Sequence, residues 1–289
     1  MDIRGREEGL VLNERPTPAG AAWFETNRAF WDERVPIHVA SDFYRVRQFL
    51  DGEEQLRDFE LAELGDRVEG ATLFHPQCHF GQDTLCWARH GARVVGLDFS
   101  EPAIDAARQL ATEADIDDAE FVCASVYDAP EVLDGRTFDV VYTGLGAITW
   151  LPDLDRWAAT MAAVCRPGGT FYLAEFHPIA FTLDEDVTEP ELRIRHDYFS
   201  KVWHEETQSG TYADLSAPTS HDETWERLWT VGEVVSAVAA AGFRIELLHE
   251  HEGTLWELLP FLEERDGRHR LPDGMPSFPM MYSLRAVRD

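Results

Sequence analysis

The chain has 289 residues and is 44% hydrophobic, which is enough for one large domain with a substantial core, or for one domain with an insertion. Its formal net charge is -29; a field of that sign repels nucleic acid and anionic membrane surfaces, so we expect neither as a partner. No window of about 18 apolar residues exists, so no membrane-spanning helix is expected.

The composition also bears on the cellular compartment and on the origin of the negative charge. The N-terminal stretch "MDIRGREEGLVLNERPTP" lacks the basic and apolar regions of a signal peptide. The four cysteines show no framework spacing and are expected to be free thiols in a reducing cytoplasm. Lys201 is the only lysine, which either salt adaptation or a high-GC genome explains; the excess of Asp and Glu favours adaptation slightly.

The first quarter of the chain is predicted to be helical after a loose arm over residues 1–20. The stretch "AAWFETNRAFWDERV" spaces its large side chains by three and four residues, which predicts a helix limited by Pro36. These side chains are Trp23, Phe24, Asn27, Phe30, Trp31 and Arg34. A second helical region is predicted from Ser41 to Leu64, with a break near Gly52.

Strands and helices then alternate. The predicted strands are "ATLFH", "ARVVGLDFS", "AEFVCASV", "TFDVVYTG", "TFYLAEFHP", "RIELLHEHEG" and "MMYSLRAVR". The predicted helices are "QDTLCWARHG", "EPAIDAARQLATEA" with Ser100 as N-cap, "LPDLDRWAATMAAVCRPGG" and "VGEVVSAVAAAGF". This alternation predicts an α/β fold, a Rossmann-like, doubly wound, mostly parallel seven-stranded sheet.

Residues 180–228 break this rhythm. The stretches "LRIRHDYFSKVWHEE", "GTYAD" and "ETWERLWT" favour strands of an inserted β ribbon.

A ligand site is predicted at the turn within "LFHPQCHFGQDTL". Ligands of such sheets bind beyond the carboxyl ends of the strands. Gly81 allows close backbone approach, and the helix that begins near Gln82 offers free N–H groups. Asp98 ends the second strand, where an acid can accept both ribose hydroxyls. Phe99 can pack on an adenine face, and Ser125 and Val126 lie where an adenine edge is often recognised.

Two kinds of cofactor fit this arrangement. A dinucleotide needs room for its pyrophosphate, and the bulky Gln77 and His79 argue against NAD. The stretches "GARVVGLDFSEPAIDAARQLA", "FDVVYTG" and "CRPGGTFYLAE" resemble the successive motifs of the class I S-adenosylmethionine-dependent methyltransferases, over roughly Ala71 to Arg288. The turn "QCHFGQDTLCWAR" resembles that of a bacterial and archaeal subgroup of this family.

The resemblance implies S-adenosylmethionine as cofactor and places further residues around it. His75 aligns with the family's acidic residue, Gln77 and His79 align with two glycines, and Ser125 aligns with an adenine-binding acid. Cys78 could then offer backbone groups, and Thr143 could approach the cofactor. The resemblance also divides the chain into residues 1–66, an N-terminal arm and helical lid, and residues 67–289, the methyltransferase domain with its insertion.

The catalytic and acceptor-binding candidates follow the later strands. His177 is the first candidate for a general base and His221 the second, since a histidine titrates near neutrality; a structural histidine is the alternative for His177. The candidates for acceptor binding are Trp31, Trp150, Glu175, Tyr198, Tyr212 and Trp225. Ordinary core, ribbon or dimer packing is the alternative for this set.

A metal site is not expected, although His75, Cys78, His79 and Cys86 suggest one. These four side chains lie on a strand, a turn and a helix, and they lack the short paired spacing of structural zinc sites.

The sequence therefore predicts methyl transfer to a small-molecule acceptor. A protein that binds S-adenosylmethionine or S-adenosylhomocysteine without catalysis, as a sensor or partner subunit, is the alternative. A scaffold that binds no adenosyl ligand is a third hypothesis, which Asp98 argues against because an unpartnered buried carboxylate is costly. A homodimer is compatible with the sequence, which does not determine the oligomeric state.

Overall fold

The computed structural model describes residues 20–199, 203–206 and 209–289. The arm predicted for residues 1–20 therefore lies, apart from Gly20, outside the described residues, as does Lys201. Of residues 203–206 only the backbone is described.

One seven-stranded sheet organises the chain, which confirms the predicted fold class. Its strands are β1 (Thr72–Pro76), β2 (Arg93–Asp98), β3 (Glu120–Cys123), β4 (Phe138–Thr143), β5 (Cys165–Phe176), β8 (Phe243–Glu252) and β11 (Pro279–Arg288). They lie in the order β3-β2-β1-β4-β5-β11-β8. β11 pairs antiparallel with both of its neighbours, whereas β1 to β5 pair in parallel. The strand order reverses at β1, so its carboxyl end is the expected ligand edge.

Helices cover both faces of the sheet. They are α1 (Ala21–Ala40), α2 (Val46–Leu50), α3 (Asp58–Leu64), α4 (Gln82–Arg89), α5 (Glu101–Glu113), α6 (Ala129–Val132), α7 (Leu154–Val164) and α8 (Val231–Ala240). α4 and α5 pack on the face that carries Leu73 and Val140. α7 and α8 pack on the face that carries Phe74 and Val141. These residue pairs alternate along β1 and β4 because successive strand side chains point to opposite faces.

Two predicted helices are shorter than their sequence pattern suggested. The helix predicted to close at Gly169 ends at Val164, because Cys165 is already extended and begins β5 opposite Phe138. Only α2 and α3 form within residues 41–64. The predicted N-cap Ser100 is confirmed, since its side chain accepts the N–H of Ala103 at 3.3 Å.

The insertion forms only part of the predicted ribbon. β6 (Trp203–Glu206) pairs antiparallel with β7 (Glu223–Glu226). The strand predicted at "GTYAD" is wrong: Thr211 and Asp214 exchange backbone hydrogen bonds in a tight turn. Ile194 forms only an isolated bridge with Leu183, so "LRIRH" is not a regular strand.

A small hairpin was not predicted. β9 (Glu263–Arg265) and β10 (Arg268–Arg270) are joined by Asp266 and Gly267, which both have positive φ, at 54° and 71°. Asp-Gly favours such two-residue hairpin turns, so the signal "RDGR" was present in the sequence.

Helix α1 lies across the carboxyl edge of the sheet and uses two faces. Phe24 packs edge-on against Tyr127, and the Arg28 guanidinium lies 5.8 Å from the Phe99 ring centroid. On its other face, Arg34 donates to Gly210 O and to the Asp222 carboxylate of the insertion. The helix therefore lies between the predicted cofactor edge and the insertion. None of the helices in the described part of the chain is long and apolar enough to cross a membrane.

Candidate cofactor and acceptor site

The turn between β1 and α4 keeps a glycine-like backbone with few glycines. Gln77, His79 and Gly81 all have positive φ, at 57°, 52° and 75°. This region costs glycine nothing but costs other residues about 1–2 kcal/mol each. The left-handed path at Gln77 and His79 is thus retained at an energetic cost, which indicates that the turn's shape matters.

Side chains of the turn and of β1 fix its position through contacts with three neighbouring elements. Gln77 Nε2 donates to Ala147 O at 2.8 Å, in the loop after β4. His75 Nδ1 lies 2.8 Å from Thr84 Oγ1, and burial lowers the pKa of His75 to about 4, so the ring is neutral. Cys78 is buried, and burial raises the pKa of its thiol well above the usual range. Its sulfur packs against Gly96, so the thiol acts as a core group.

Asp98 joins the second strand to this turn. Its carboxylate accepts the backbone N–H of His79 at 2.9 Å and that of Ser100 at 3.0 Å. The side chain is buried, and burial raises its pKa to about 6 although the backbone donors act in the opposite direction. Asp98 therefore orients the turn directly, beside the ribose role that the sequence predicts for it.

The region predicted to hold adenine lies under α1. Phe99 is contacted by Arg28, and Val126 is buried. The Ser125 hydroxyl accepts the N–H of Tyr127 at 3.4 Å. These residues line the edge beyond β2 and β3, so the structure brings them together where the sequence predicted.

Several buried oxygens around the turn have no hydrogen-bond partner within the described residues. They are Asp32 Oδ1, Gln77 Oε1, Gln82 Oε1 and Thr143 Oγ1. Leaving such an atom unsatisfied costs about 1–3 kcal/mol, so a ligand that donates hydrogen bonds would be favoured here. The amino and hydroxyl groups of S-adenosylmethionine are donors of this kind, and the residues present fit this cofactor.

Glu175 shapes the loop beyond β4 rather than presenting a free carboxylate. Its oxygens accept the N–H groups of Gly146 at 2.8 Å, Ile148 at 3.1 Å and Phe176 at 2.7 Å. Burial raises its pKa to about 7. The predicted acceptor contact of Glu175 would thus have to act through the shape of this loop.

Replacing Glu175 with alanine is expected to lower the free energy of unfolding by about 3 kcal/mol, because the N–H groups of Gly146 and Ile148 lose their acceptor. Urea unfolding of both proteins measures the difference. Glu175→Gln keeps one acceptor oxygen and should lose less. A loss below about 0.5 kcal/mol in the alanine variant would show that these bonds do not stabilise the loop.

The two predicted base candidates lie in different surroundings. His177 is buried; its Nδ1 accepts the N–H of Ile179, and its Nε2 lies 3.1 Å from Glu250. Both ring nitrogens thus hold hydrogen bonds. The side chain of His221 is 59% exposed and its Nδ1 lies 3.3 Å from Glu33 on α1. Neither arrangement favours proton abstraction, and the base role of both stays a prediction.

Three of the predicted acceptor residues meet above the turn. Trp31 packs edge-on against Trp150 at 5.1 Å and against His79 at 5.4 Å. The Tyr212 hydroxyl lies 2.5 Å from that of Tyr44. We call Trp31, Tyr44, His79, Trp150 and Tyr212 the aromatic wall. It joins α1, the turn and the insertion.

The remaining two lie elsewhere. Trp225 is buried against Trp23, and its backbone exchanges two hydrogen bonds with the Asn27 side chain. It therefore fastens the insertion to α1. Tyr198 packs edge-on against Phe199, which is exposed.

Sequence reasoning missed His38. It is fully buried, and its Nδ1 lies 2.9 Å from His79 Nε2. A signal was available, because His38 follows Trp31 by seven residues and so lies on the same helix face. No group of three or more His, Cys, Asp or Glu side chains in the described ranges is placed to hold a metal ion.

The chain is similar to known methyltransferases. The family described as "Methyltransferase domain" matches residues 75–173. The chain is 32% identical to a ubiquinone biosynthesis O-methyltransferase of Methylobacterium sp. (strain 4-46), over 74% of this chain and 76% of that protein.

Two solved structures share the fold. One is an S-adenosylmethionine-dependent methyltransferase from Mesorhizobium loti, with a TM-score of 0.55 and 22% identity over 83% of this chain and 100% of that one. The other is the glycopeptide N-methyltransferase MtfA complexed with sinefungin, with a TM-score of 0.52 and 16% identity over 86% and 95% of the two chains.

Fold and similarity lead to one assignment. The seven-stranded, mostly parallel sheet is the fold of these structures, and the chain covers most of a methyltransferase to which it is 32% identical. The protein is an enzyme that uses S-adenosylmethionine, and it belongs to the class I S-adenosylmethionine-dependent methyltransferases.

Proposed function

We propose that this enzyme methylates a hydroxyl oxygen of a small, largely apolar acceptor. The aromatic wall is the main support, because ligand pockets combine apolar and aromatic lining with a few polar groups. The hydroxyls of Tyr44 and Tyr212 and the imidazole of His79 are such polar groups. The similarity to a protein named as an O-methyltransferase supports oxygen as the methylated atom.

The residues that would hold the cofactor surround the turn. Asp98 would bind the ribose, with Phe99 and the Ser125–Val126 segment at the adenine. The methionine end of the cofactor would contact a second set of residues: His75, Gln77, Cys78, Gly81 and Thr143. S-adenosylmethionine supplies an already activated methyl group, so the protein contributes mainly proximity and alignment. Trp31 on α1 would exclude water from the reacting groups.

Sequence features support the subgroup, the acceptor class, the compartment and the division into lid and catalytic domain. The "QCHFG" turn supports membership of a bacterial and archaeal subgroup. The charge of -29 supports a small acceptor rather than nucleic acid, and free cysteines support a cytoplasmic protein. The described boundary between α3 and β1 supports a lid over residues 1–66 and a catalytic domain over residues 67–289. A homodimer is one candidate assembly.

A panel of acceptors tests the reaction class. The enzyme is incubated with methyl-deuterated S-adenosylmethionine and matched phenols, alcohols, anilines and thiols, at low and high salt. With a hydroxyl acceptor we expect S-adenosylhomocysteine and a product that carries a CD3 group in place of the hydroxyl hydrogen. Mass spectrometry detects both. Label on nitrogen or sulfur alone would contradict O-methylation. Turnover with none of the hydroxyl acceptors would contradict the proposed acceptor class.

A further inference from the structure

A buried histidine, His38, and a half-buried one, His79, meet at the point where lid, turn and insertion join. His38 is on α1 and His79 is in the cofactor turn, with 2.9 Å between His38 Nδ1 and His79 Nε2. His38 Nε2 lies 2.7 Å from Thr211 Oγ1 in the insertion. Three separate segments of the protein thus meet at one hydrogen-bonded pair of imidazoles.

The placement of the protons on the two imidazoles determines which nitrogen of His79 can accept a proton. Two imidazole nitrogens at hydrogen-bond distance need one donor and one acceptor. If His38 Nε2–H donates to Thr211, His38 Nδ1 accepts from His79 Nε2–H. His79 Nδ1 then carries a lone pair. Thr211 Oγ1 already accepts the N–H of Ala213 at 3.2 Å, and its second lone pair can accept a hydrogen bond from His38 Nε2–H.

The surroundings keep both rings neutral at pH 7. Burial lowers the pKa of His38 to about 3, with the nearby Arg34 charge adding to the effect. Burial and the neighbouring His38 hold the pKa of His79 well below its usual range. The other titratable groups that face the pair are Tyr44 and Tyr212 at the rings and Asp98 at the His79 backbone. An unprotonated imidazole is the form that can take a proton.

His79 lies at the border between the cofactor turn and the aromatic wall. The resemblance places a glycine at this position, so the imidazole is an added group beside the cofactor turn. It remains there although its φ of 52° is unfavourable for a residue with a side chain. His79 contacts Trp31 and Tyr44 of the aromatic wall, so it lies on the proposed acceptor side of the turn.

We propose that His79 is the general base that takes the proton of the acceptor hydroxyl, and that His38 is the positioning residue that fixes its tautomer. The inference rests on the proposed O-methylation. The acceptor O–H bond breaks and its proton goes to His79 Nδ1. The oxygen's electron pair forms the bond to the methyl carbon, and the pair of the broken carbon–sulfur bond stays on sulfur. The proton leaves to solvent as the methylated product is released.

The test uses His79→Gly, which removes the imidazole and suits the positive φ, so this variant should fold. We expect kcat at saturating cofactor and acceptor to fall by about 100-fold, in the usual range for a lost general base. Added imidazole should occupy the space that is left and restore at least about tenfold of that loss. His90→Gln, at the far end of α4, is the matched control and should leave both kcat and the imidazole response unchanged.

His38→Asn tests the positioning role through the pH profile. Removing His38 removes a group that lowers the pKa of His79, so the acid limb of kcat should move to higher pH. Burial raises the pKa of Asp98 to about 6, and Asp98 also accepts the backbone N–H of His79. Asp98 is present in both the wild type and His38→Asn, so the difference between their pH profiles reports on His79. NMR of imidazole nitrogens in the protein without cofactor gives a readout independent of turnover. The resonance of the shared N–H should disappear in either variant.

The outcomes separate this inference from the proposed function. If the wild-type enzyme methylates no hydroxyl acceptor, the proposed function fails. If the wild type is active and His79→Gly keeps its kcat, or loses it without rescue by imidazole, His79 is not the base. An unmoved acid limb in His38→Asn would remove the positioning role of His38.

Discussion

Replacing Asp98 with alanine is expected to weaken the binding of S-adenosylmethionine by at least about 100-fold. Hydrogen bonds to a charged group contribute about 1.5–3 kcal/mol each, and about 1.4 kcal/mol corresponds to a tenfold change. The variant loses the predicted ribose contacts, and it also releases the backbone N–H groups of His79 and Ser100. The turn that presents the cofactor site would therefore lose its orientation as well.

Calorimetry with S-adenosylmethionine and S-adenosylhomocysteine measures this loss. It should be run at low and at high salt because of the charge of -29. Asp105→Asn is the matched control: Asp105 is an exposed acid on α5 that pairs with Arg108. Equal affinity in Asp98→Ala and wild type would place the ribose elsewhere. Absence of binding in the wild type at either salt would show that the Gln77–His79 turn has closed the site.

Gly81→Ala is expected to lower the free energy of unfolding by about 2–5 kcal/mol. A Cβ at this position would lie 2.6 Å from the Phe121 ring and 2.9 Å from Ala107. Both neighbours are buried in the core between β3 and α5, so the contact cannot be relieved cheaply. Overpacking of this kind costs about 1–3 kcal/mol, and the φ of 75° adds about 1–2 kcal/mol for a side-chain-bearing residue.

A second glycine separates the two contributions. Gly70 has nearly the same φ, 74°, but no atom of the described residues lies within 4 Å of the place that an alanine Cβ would take there. Gly70→Ala should therefore show the backbone cost alone, about 1–2 kcal/mol in urea unfolding. If both variants lost the same stability, close packing would not be the reason for glycine at position 81.

The lid helix shows why one periodic pattern can serve two purposes. Arg28 lies over Phe99 on the cofactor side, whereas Arg34 donates to Gly210 and Asp222 of the insertion. Residues three or four apart share a helix face, but a helix has more than one face. The spacing of aromatic residues therefore predicted the helix, and it could not say which side chain would meet which neighbour.

Local pattern and tertiary contact contributed differently to the site. Strand alternation, the N-cap at Ser100 and the acid at the end of β2 depend on neighbours in sequence, and these predictions matched the structure. Trp225 and Glu175 were expected at the acceptor. In the structure Trp225 packs against Trp23 and Glu175 accepts three backbone N–H groups, and their acceptor roles stay predictions. Their partners are distant in sequence, so no local signal distinguishes these roles.

Hydrophobic period, helix caps and turn residues act within a few positions, so the alternation of strands and helices and the seven-stranded sheet could be predicted from the sequence alone. The sequence also carried the variant turn, in which Gln77 and His79 stand at glycine positions. The positive φ of both residues and the contact between His79 and His38 depend on tertiary packing. That contact spans 41 residues and depends on how α1 docks, and docking is set by packing over the whole fold rather than by any single segment.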